Sequence, residues 1–514
     1  MIKKFIIFTI AFIITLPVSA KNISGNWHND LRSLFIKNNA IIYTINIRTF
    51  NANDKNGNEL IDENEESGNF INAINELDNL TKMGINTLHI LPITPVGKLK
   101  AFGTAGSLYS IASLTDVNNQ LVSKKISASG ISQAKRFIKE CHKRNIRVII
   151  DLPSCGSYDL YLEHPEYYIK DETGNPVIPL DWTDVRLFNS GDNKTINEDL
   201  MAYHKKFIDF VINLGADGIR ADVARLKSEK FWKELIQYTR EKDSEFLFLA
   251  EASNSWKEPI SKYSSNTSVD ELFNAGFDGY LGSYFNLKNM TTSKELISMV
   301  QEDLKLFKKY NEQKSVIGSF STHDEVSPVL IKGPKFSKMI IWLNTTLPMN
   351  SYYIDGFPTG DKYDYIWANK KAENSQTDDE YYFTHKGQID IFNFSRKPDG
   401  NDYTIYEEFV LANKFKTYYA QDLSYAKFVP LKTSNPSVFG FARITNSNAI
   451  IVFGNLDFKN KQEVVVKVPK FNPKKKVLNL RVHKTFKNEY IKGGIKTTLP
   501  AGEIEVLSVK NLVF

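Results

Sequence analysis

From residue 40 onward the chain alternates short apolar, β-branched runs with polar loops and amphipathic stretches at helical spacing. Runs at 40–47, 87–91, 148–151, 217–221, 246–250, 277–280, 316–320 and 347–353 read as strands. Stretches at 70–83, 132–144, 200–214, 229–239, 295–310 and 335–343 read as the helices that link them, and 405–420 as a last helix. Eight strands with crossover helices predict a closed parallel (β/α)8 barrel, a fold that places its chemistry at the carboxyl ends of the strands. An open doubly wound sheet would want a glycine-rich phosphate loop after its first strand, and Ile47-Arg48-Thr49-Phe50 offers none. Past residue 423 the texture changes. Apolar runs at 439–443, 449–453, 462–468, 477–482 and 504–509 follow one another with no helical stretch between them, which predicts a C-terminal antiparallel β-sandwich.

The first twenty residues stand apart. Lys3 and Lys4 precede an apolar run at 5–16 and then Pro17-Val18-Ser19-Ala20, the charged, apolar and small-residue parts of a secretory signal peptide cleaved after Ala20. The run is shorter than the roughly 20 residues that cross a bilayer, so the expectation is export to the periplasm or the medium, with no membrane attachment after cleavage. The expected organisation is a signal peptide at 1–20, a catalytic barrel at 21–422 and a β domain at 423–514. A long excursion at about 156–194 and a second one at 355–388 are expected over the barrel rim. With 42% hydrophobic and 24% charged residues the chain can fill two cores and is not a mainly disordered or multi-pass membrane protein. A net charge of +6 set against 65 basic and 59 acidic side chains gives no nucleic-acid footprint. Two cysteines exclude a disulfide framework or a four-cysteine zinc site, and Cys141 and Cys155 are separated by a strand length, too far to pair.

Acids collect at the predicted strand ends. In Gly218-Ile219-Arg220-Ala221-Asp222 the arginine and aspartate are two apart and project from one side of the strand, so the guanidinium keeps Asp222 ionised. The run 246–250 ends in Glu251, where desolvation would raise the pKa and hold a proton, as a general acid requires. The seventh run leads into Thr322-His323-Asp324-Glu325, and the third ends in Asp151. An ionised carboxylate, a protonated one and a third acid nearby are the groups of a retaining glycosidase, whose nucleophile and acid sit about 5–5.5 Å apart. Singly, each acid reads as a helix N-cap; together they do not.

In that order, GIRAD, a strand ending in Glu, then His-Asp, all after a strand ending in Asp151, the chain resembles the α-amylase family of glycoside hydrolases, family 13, over roughly residues 40–420. The resemblance implies that Asp222 is the nucleophile, Glu251 the acid/base and Asp324 the transition-state stabiliser. It implies further that Arg220 and His323 position substrate and charge, that Tyr109 stacks under the reacting sugar, and that Asp151 braces the site.

The sugar-reading positions depart from the family. Asp151 is followed by Leu152-Pro153-Ser154-Cys155-Gly156 where an Asn-His pair is usual, Arg225-Leu226 replaces Lys-His, and Thr322 replaces Asn. The loop at 54–62 offers Asp54, Asn56, Asn58 and Asp62 side chains and the Leu60 carbonyl at calcium spacing, with Glu65 further on, although Glu59 stands where such loops carry glycine. A structural Ca2+ is expected there, and no organic cofactor. Tyr158, Tyr161, Tyr167, Tyr168 and Trp182 of the first excursion are rings that could stack on sugars, most of them expected to pack the excursion itself. Phe357, Tyr363, Tyr365 and Trp367 of the second could reach the same rim. The expected activity is retaining hydrolysis of α-glucans or maltooligosaccharides. A maltosyl-transferring or branching transglycosylase and a catalytically silent sugar-binding barrel are its rivals.

Overall fold

The computed structural model describes residues 27–56, 62–101, 106–180, 182–362, 400–481 and 486–514. The expected signal peptide, the candidate calcium ligands Asn58 and Leu60, and the rim aromatics Tyr363, Tyr365 and Trp367 lie outside the described residues. Along the chain run β1 (Ile41–Ile45), β2 (Thr87–Ile90) and β3 (Arg147–Leu152), then a short antiparallel hairpin, β4 (Cys155–Ser157) with β5 (Val185–Leu187). The barrel continues with β6 (Gly218–Ala221), β7 (Leu247–Ala250), β8 (Gly279–Tyr280), β9 (Ser315–Val316) and β10 (Ser351–Ile354). These pair in parallel in the order β10-β1-β2-β3-β6-β7-β8-β9. Asn350 closes the ring: its N–H donates to Val316 O at 2.9 Å and its carbonyl accepts from Gly318 N at 2.8 Å, joining the two ends of the sheet.

The barrel strands are buried along their whole lengths, as parallel strands with helices outside and side chains filling the centre must be. Amphipathic helices such as Gly130–Lys143, Glu198–Leu214 and Glu229–Arg240 cover the outside. Their starts are fixed by Ser129, Asn197 and Ser228, whose side chains accept backbone N–H bonds of the first turn. The expected seventh strand is shorter than its apolar run. Pairing ends at Ile317, bridged in parallel to Asn350, because Ser319 N turns back to Ile317 O and Phe320 N to Gly318 O. Position 318 has no room for a side chain, since a Cβ there would meet Asn344 Oδ1 at 1.8 Å.

The helix Ala420–Tyr425 leads into β11 (Lys427–Pro430), β12 (Val438–Ile444), β13 (Asn448–Asn455), β14 (Gln462–Lys467), β15 (Val477–Asn479), β16 (Asn488–Ile491), β17 (Gly494–Leu499) and β18 (Ile504–Lys510). Sheets of order β11-β12-β13-β18-β15 and β14-β17-β16 enclose an apolar layer that includes Ile451, Phe453, Val464, Val466, Ile495 and Leu507. Strand alternation gives the larger sheet two dry faces: Val438 and Ala442 point into this layer, whereas Phe439 and Phe441 join the barrel's core. Arg481 fastens the two parts, pairing with fully buried Glu408 of the helix Tyr403–Tyr418 at 2.9 Å and with Glu503 at 2.7 Å. Among the described residues no helix is long and apolar enough to cross a membrane.

Candidate active site

Strand register assembles the site. Ala221 of β6 pairs with Ala250 of β7, so the next residues, Asp222 and Glu251, leave adjacent strands at one level. One step back, Asp151 of β3 pairs with Arg220 of β6, and both lie inside the barrel mouth. The Arg220 guanidinium, 4% exposed, ties three acids together. Its Nη1 donates to Asp222 Oδ1 at 2.8 Å and to both oxygens of Asp151 at 2.9 and 3.1 Å, and its Nη2 reaches Glu251 Oε1 at 2.9 Å. Ser154 adds its Oγ, at 3.1 Å, and its N–H, at 3.4 Å, to Asp222 Oδ2.

Glu251 Oε2 accepts the Val223 N–H at 2.7 Å. Val223 sits at φ 35°, a left-handed conformation that a β-branched residue adopts only under local strain, and it lies between the two acids in the turn that follows Asp222. The turn aims a backbone donor at Glu251 that an extended continuation of β6 would not supply.

Burial raises both carboxyls above their ordinary range. Arg220 pulls each back; Asp222 opposes the ionisation of Glu251, whereas Glu251 favours that of Asp222. Glu251 is pushed much further than Asp222, so Asp222 ionises first and Glu251 keeps its proton. Asp324, in the turn that follows β9, is raised to about 7, chiefly by burial. Its Oδ1 is buried with no partner among the described residues. Asp151 is enclosed and held down at about 2: burial alone would raise it, and Arg220, His89 and His323 outweigh that.

Tyr109 Oη donates to Asp151 Oδ2 at 2.9 Å and lies 2.9 Å from His323 Nε2, with the two rings nearly parallel. His323 Nε2 stands 3.6 Å from Asp324. Burial lowers the His323 pKa well below the ordinary imidazole value, so it faces the cavity as a neutral ring. Sequence reasoning missed His89, which sits 3.3 Å from Asp151 and 3.1 Å from both Thr44 Oγ1 and Tyr352 Oη. A single histidine inside the buried run of β2, between Leu88 and Ile90, was the available signal. It also missed Asp184, at the start of β5, a buried acid on the cavity wall raised to about 7 by desolvation.

Tyr109, Trp182, Asp222, Glu251, His323 and Asp324 are among the residues lining a cavity of about 580 Å³, and Arg220 and Asp151 lie beneath it. Trp182 is the excursion ring that reaches the cavity. Tyr161 packs against Tyr158 and Tyr168, and Tyr167 against Tyr203, within the protein. Phe357 is buried against Tyr353 and Phe409. Trp256 of the loop after β7 forms another part of the wall, and Arg225 pins that loop through the carbonyls of Trp256 and Glu258 and the side chain of Asn266. The place where the family carries histidine is sterically closed here: a Cβ at Gly156 would meet Tyr168 Oη at 2.0 Å and Phe188 at 2.8 Å. Cys141 and Cys155 are both buried free thiols, with Cys155 pushed up to about 12 by desolvation.

In the candidate calcium loop, Asn56 donates to Asp62 at 2.8 Å, and Glu65 accepts the amides of Lys55 and Asp62 at 2.7 and 3.0 Å. Glu65 is thereby committed to the neck of the loop. The oxygens of Asp54, Asn56 and Asp62 suit a hard cation in type.

No protein-family profile matches the chain. In sequence it is 24% identical over 421 residues to an α-1,4-glucan:maltose-1-phosphate maltosyltransferase from Picrophilus torridus, covering 78% of this chain and 61% of that protein. It is 25% identical over 223 residues to an α-amylase from Haloarcula japonica, covering 41% and 29% respectively. The chain thus spans less than two thirds of either curated relative. A crystal structure of an α-amylase from Lactobacillus plantarum superposes with a TM-score of 0.64 at 18% identity, covering 92% of this chain and 99% of that one. The fold is that of the α-amylase family of glycoside hydrolases, and the sequence resembles members of that family.

Proposed function

We propose that the protein is an exported α-amylase-type retaining glycosidase acting on α-glucans or maltooligosaccharides by double displacement. The observation that carries this reading is that Asp222 and Glu251 leave adjacent strands at one level and bind one guanidinium, at 2.8 and 2.9 Å. A retaining pair stands about 5–5.5 Å apart and an inverting pair roughly 6.5–9.5 Å, and two carboxyls held on one guanidinium favour the closer spacing. Glu251, protonated, gives its proton to the glycosidic oxygen while ionised Asp222 attacks the anomeric carbon. Glu251, now a base, then takes a proton from water or from an acceptor sugar. Asp324, beside the same cavity, is placed to steady the charge on the sugar ring, and His323 and Tyr109 form its wall.

Transfer to a second sugar is the alternative favoured by one observation, the 421-residue similarity to a maltosyltransferase. Incubation of the mature protein with maltoheptaose, followed by chromatography and proton NMR of the newly formed anomers, decides between them. Hydrolysis is expected, giving shorter oligosaccharides with the α configuration kept. Products longer than the substrate would establish transfer, and β-anomers would overturn the retaining mechanism.

A structural calcium at the loop containing Asp54, Asn56 and Asp62 belongs to the same proposal, supported by the oxygen chemistry of those side chains. A cation that binds only the folded state stabilises it by mass action, so dialysis against a chelator is expected to lower the Tm and re-addition of Ca2+ to restore it. An unchanged Tm, with no metal found by elemental analysis, would remove calcium from the account.

A further inference from the structure

Lys227 follows the turn that carries Asp222 and has no part in the chemistry above. Its side chain is buried, 1% exposed, with the ammonium over the rings of Phe188 and Trp232 at 5.6 and 5.7 Å. Nζ donates to the Ser154 carbonyl at 3.0 Å. Ser154 in turn donates to Asp222 Oδ2 from its Oγ and its backbone N–H, at 3.1 and 3.4 Å. Burying an ammonium is costly unless it works against negative charge nearby. The titratable groups facing it are Asp222 and Cys155, with His204 on the neighbouring helix Glu198–Leu214. Cys155 is a protonated thiol and His204, lowered to about 3 by burial, is neutral, which leaves Asp222 as the negative partner.

We propose that Lys227 is a positioning residue for the nucleophile: acting through Ser154, it orients the Asp222 carboxylate and favours its ionised form. The inference rests on the reading of Asp222 as the nucleophile. Arg220 alone would serve poorly for this, because its guanidinium is divided among Asp151, Asp222 and Glu251. Lys227 is free of that competition. Burial holds it down at about 8, so it carries its charge across neutral pH. Among the other groups around Asp222, Asp151 and Asp324 oppose its ionisation, Tyr109 is neutral, and protonated Glu251 favours it without carrying charge, so Lys227 is the second cation on its side.

The sign follows from the charge. Removing the ammonium withdraws an attraction to ionised Asp222, so its titration and the acidic limb of kcat/KM move to higher pH. The test compares wild type, Lys227→Met, Ser154→Ala and the double variant. Each is read by its pH–rate profile on maltoheptaose and by NMR titration of protein carrying 13C-carboxyl aspartate, with the Asp222 signal assigned through Asp222→Asn. In Lys227→Met the Asp222 titration and the acidic limb are both expected to rise by ~0.5–1 pH unit, with KM within about twofold of wild type. Ser154→Ala is expected to shift in the same direction, and the double variant to fall short of the sum because the two act through one chain of bonds. A purely structural lysine would change the melting temperature and leave the titration in place. An unmoved Asp222 titration in Lys227→Met, or full additivity with Ser154→Ala, overturns the proposal. Should Lys227→Met fail to fold, Ser154→Ala alone decides, and an unmoved titration there overturns it too. A wild type with no turnover would overturn the glycosidase reading, and the NMR titration, which needs no substrate, would still decide on Lys227.

Discussion

Glu251→Gln is expected to lower kcat on an α-1,4-glucan by ~10²–10⁴-fold while leaving the Kd for maltoheptaose nearly unchanged, since the amide keeps the shape and loses the proton. The loss should depend on the leaving group. An aryl glycoside whose phenol departs as a stable anion needs no proton, so the variant is expected to cleave its first bond at close to the wild-type rate. The pH profile carries the second signature. Glu251 is raised well above the ordinary carboxyl value by burial, so wild-type activity is expected to persist through neutrality and to fall as pH rises through the folded pKa of Glu251. On the proposed mechanism the acidic limb belongs to Asp222, which must lose its proton before it can attack. In Glu251→Gln the basic limb should vanish and the acidic one remain. Equal loss on every leaving group, or a basic limb that survives the substitution, would remove Glu251 from the role of acid. A parent inactive on every α-glucan and still binding them would favour the silent-barrel reading instead.

The barrel was legible in the sequence because strands buried on both faces read as unbroken apolar runs, and the helices between them keep one dry side. What escaped followed from contacts that no local pattern encodes. β16 and β17 were missed since their sheet faces solvent on one side, and in β17 Lys496 and Thr498 interrupt the apolar positions. The three acids could be read from their place after apolar strands. That one arginine would hold two of them together with Asp151 could not, because it depends on the register between β3, β6 and β7. Lys227 and Asp184 carry no signal at all in the chain. Each reads as an ordinary loop charge, and only folding places one beneath Ser154 and the other on the cavity wall. The vacant histidine position has a similar cause, since Tyr168 and Phe188 of the excursion fill that space from a distance in sequence.

Arg220→Met is expected to cost stability as well as activity. The guanidinium is buried against Asp151, Asp222 and Glu251, and removing one partner of a buried ion pair leaves uncompensated charge, worth ~3–5 kcal/mol. The size of the loss should follow pH in a defined direction. Asp151 is depressed to about 2 in the folded protein, so relative to an unfolded value near ~3.9 it contributes stability that is fully present above the unfolded value. That contribution is lost as pH falls toward 2. Without Arg220 the same carboxyl is buried with only neutral partners and its folded pKa rises, so the variant has lost this stabilisation at neutral pH. Urea denaturation of wild type and Arg220→Met at pH 7 and at pH 4 reads the difference: the gap in unfolding free energy should be widest at pH 7 and narrow at pH 4, where the freed acids take up protons. Activity should be lost at both values, because Asp222 without its cation holds its proton into the range where attack requires it ionised. A gap that stays constant from pH 7 to pH 4 would mean that packing of the Arg220 stem, and not its charge, is what the barrel mouth depends on.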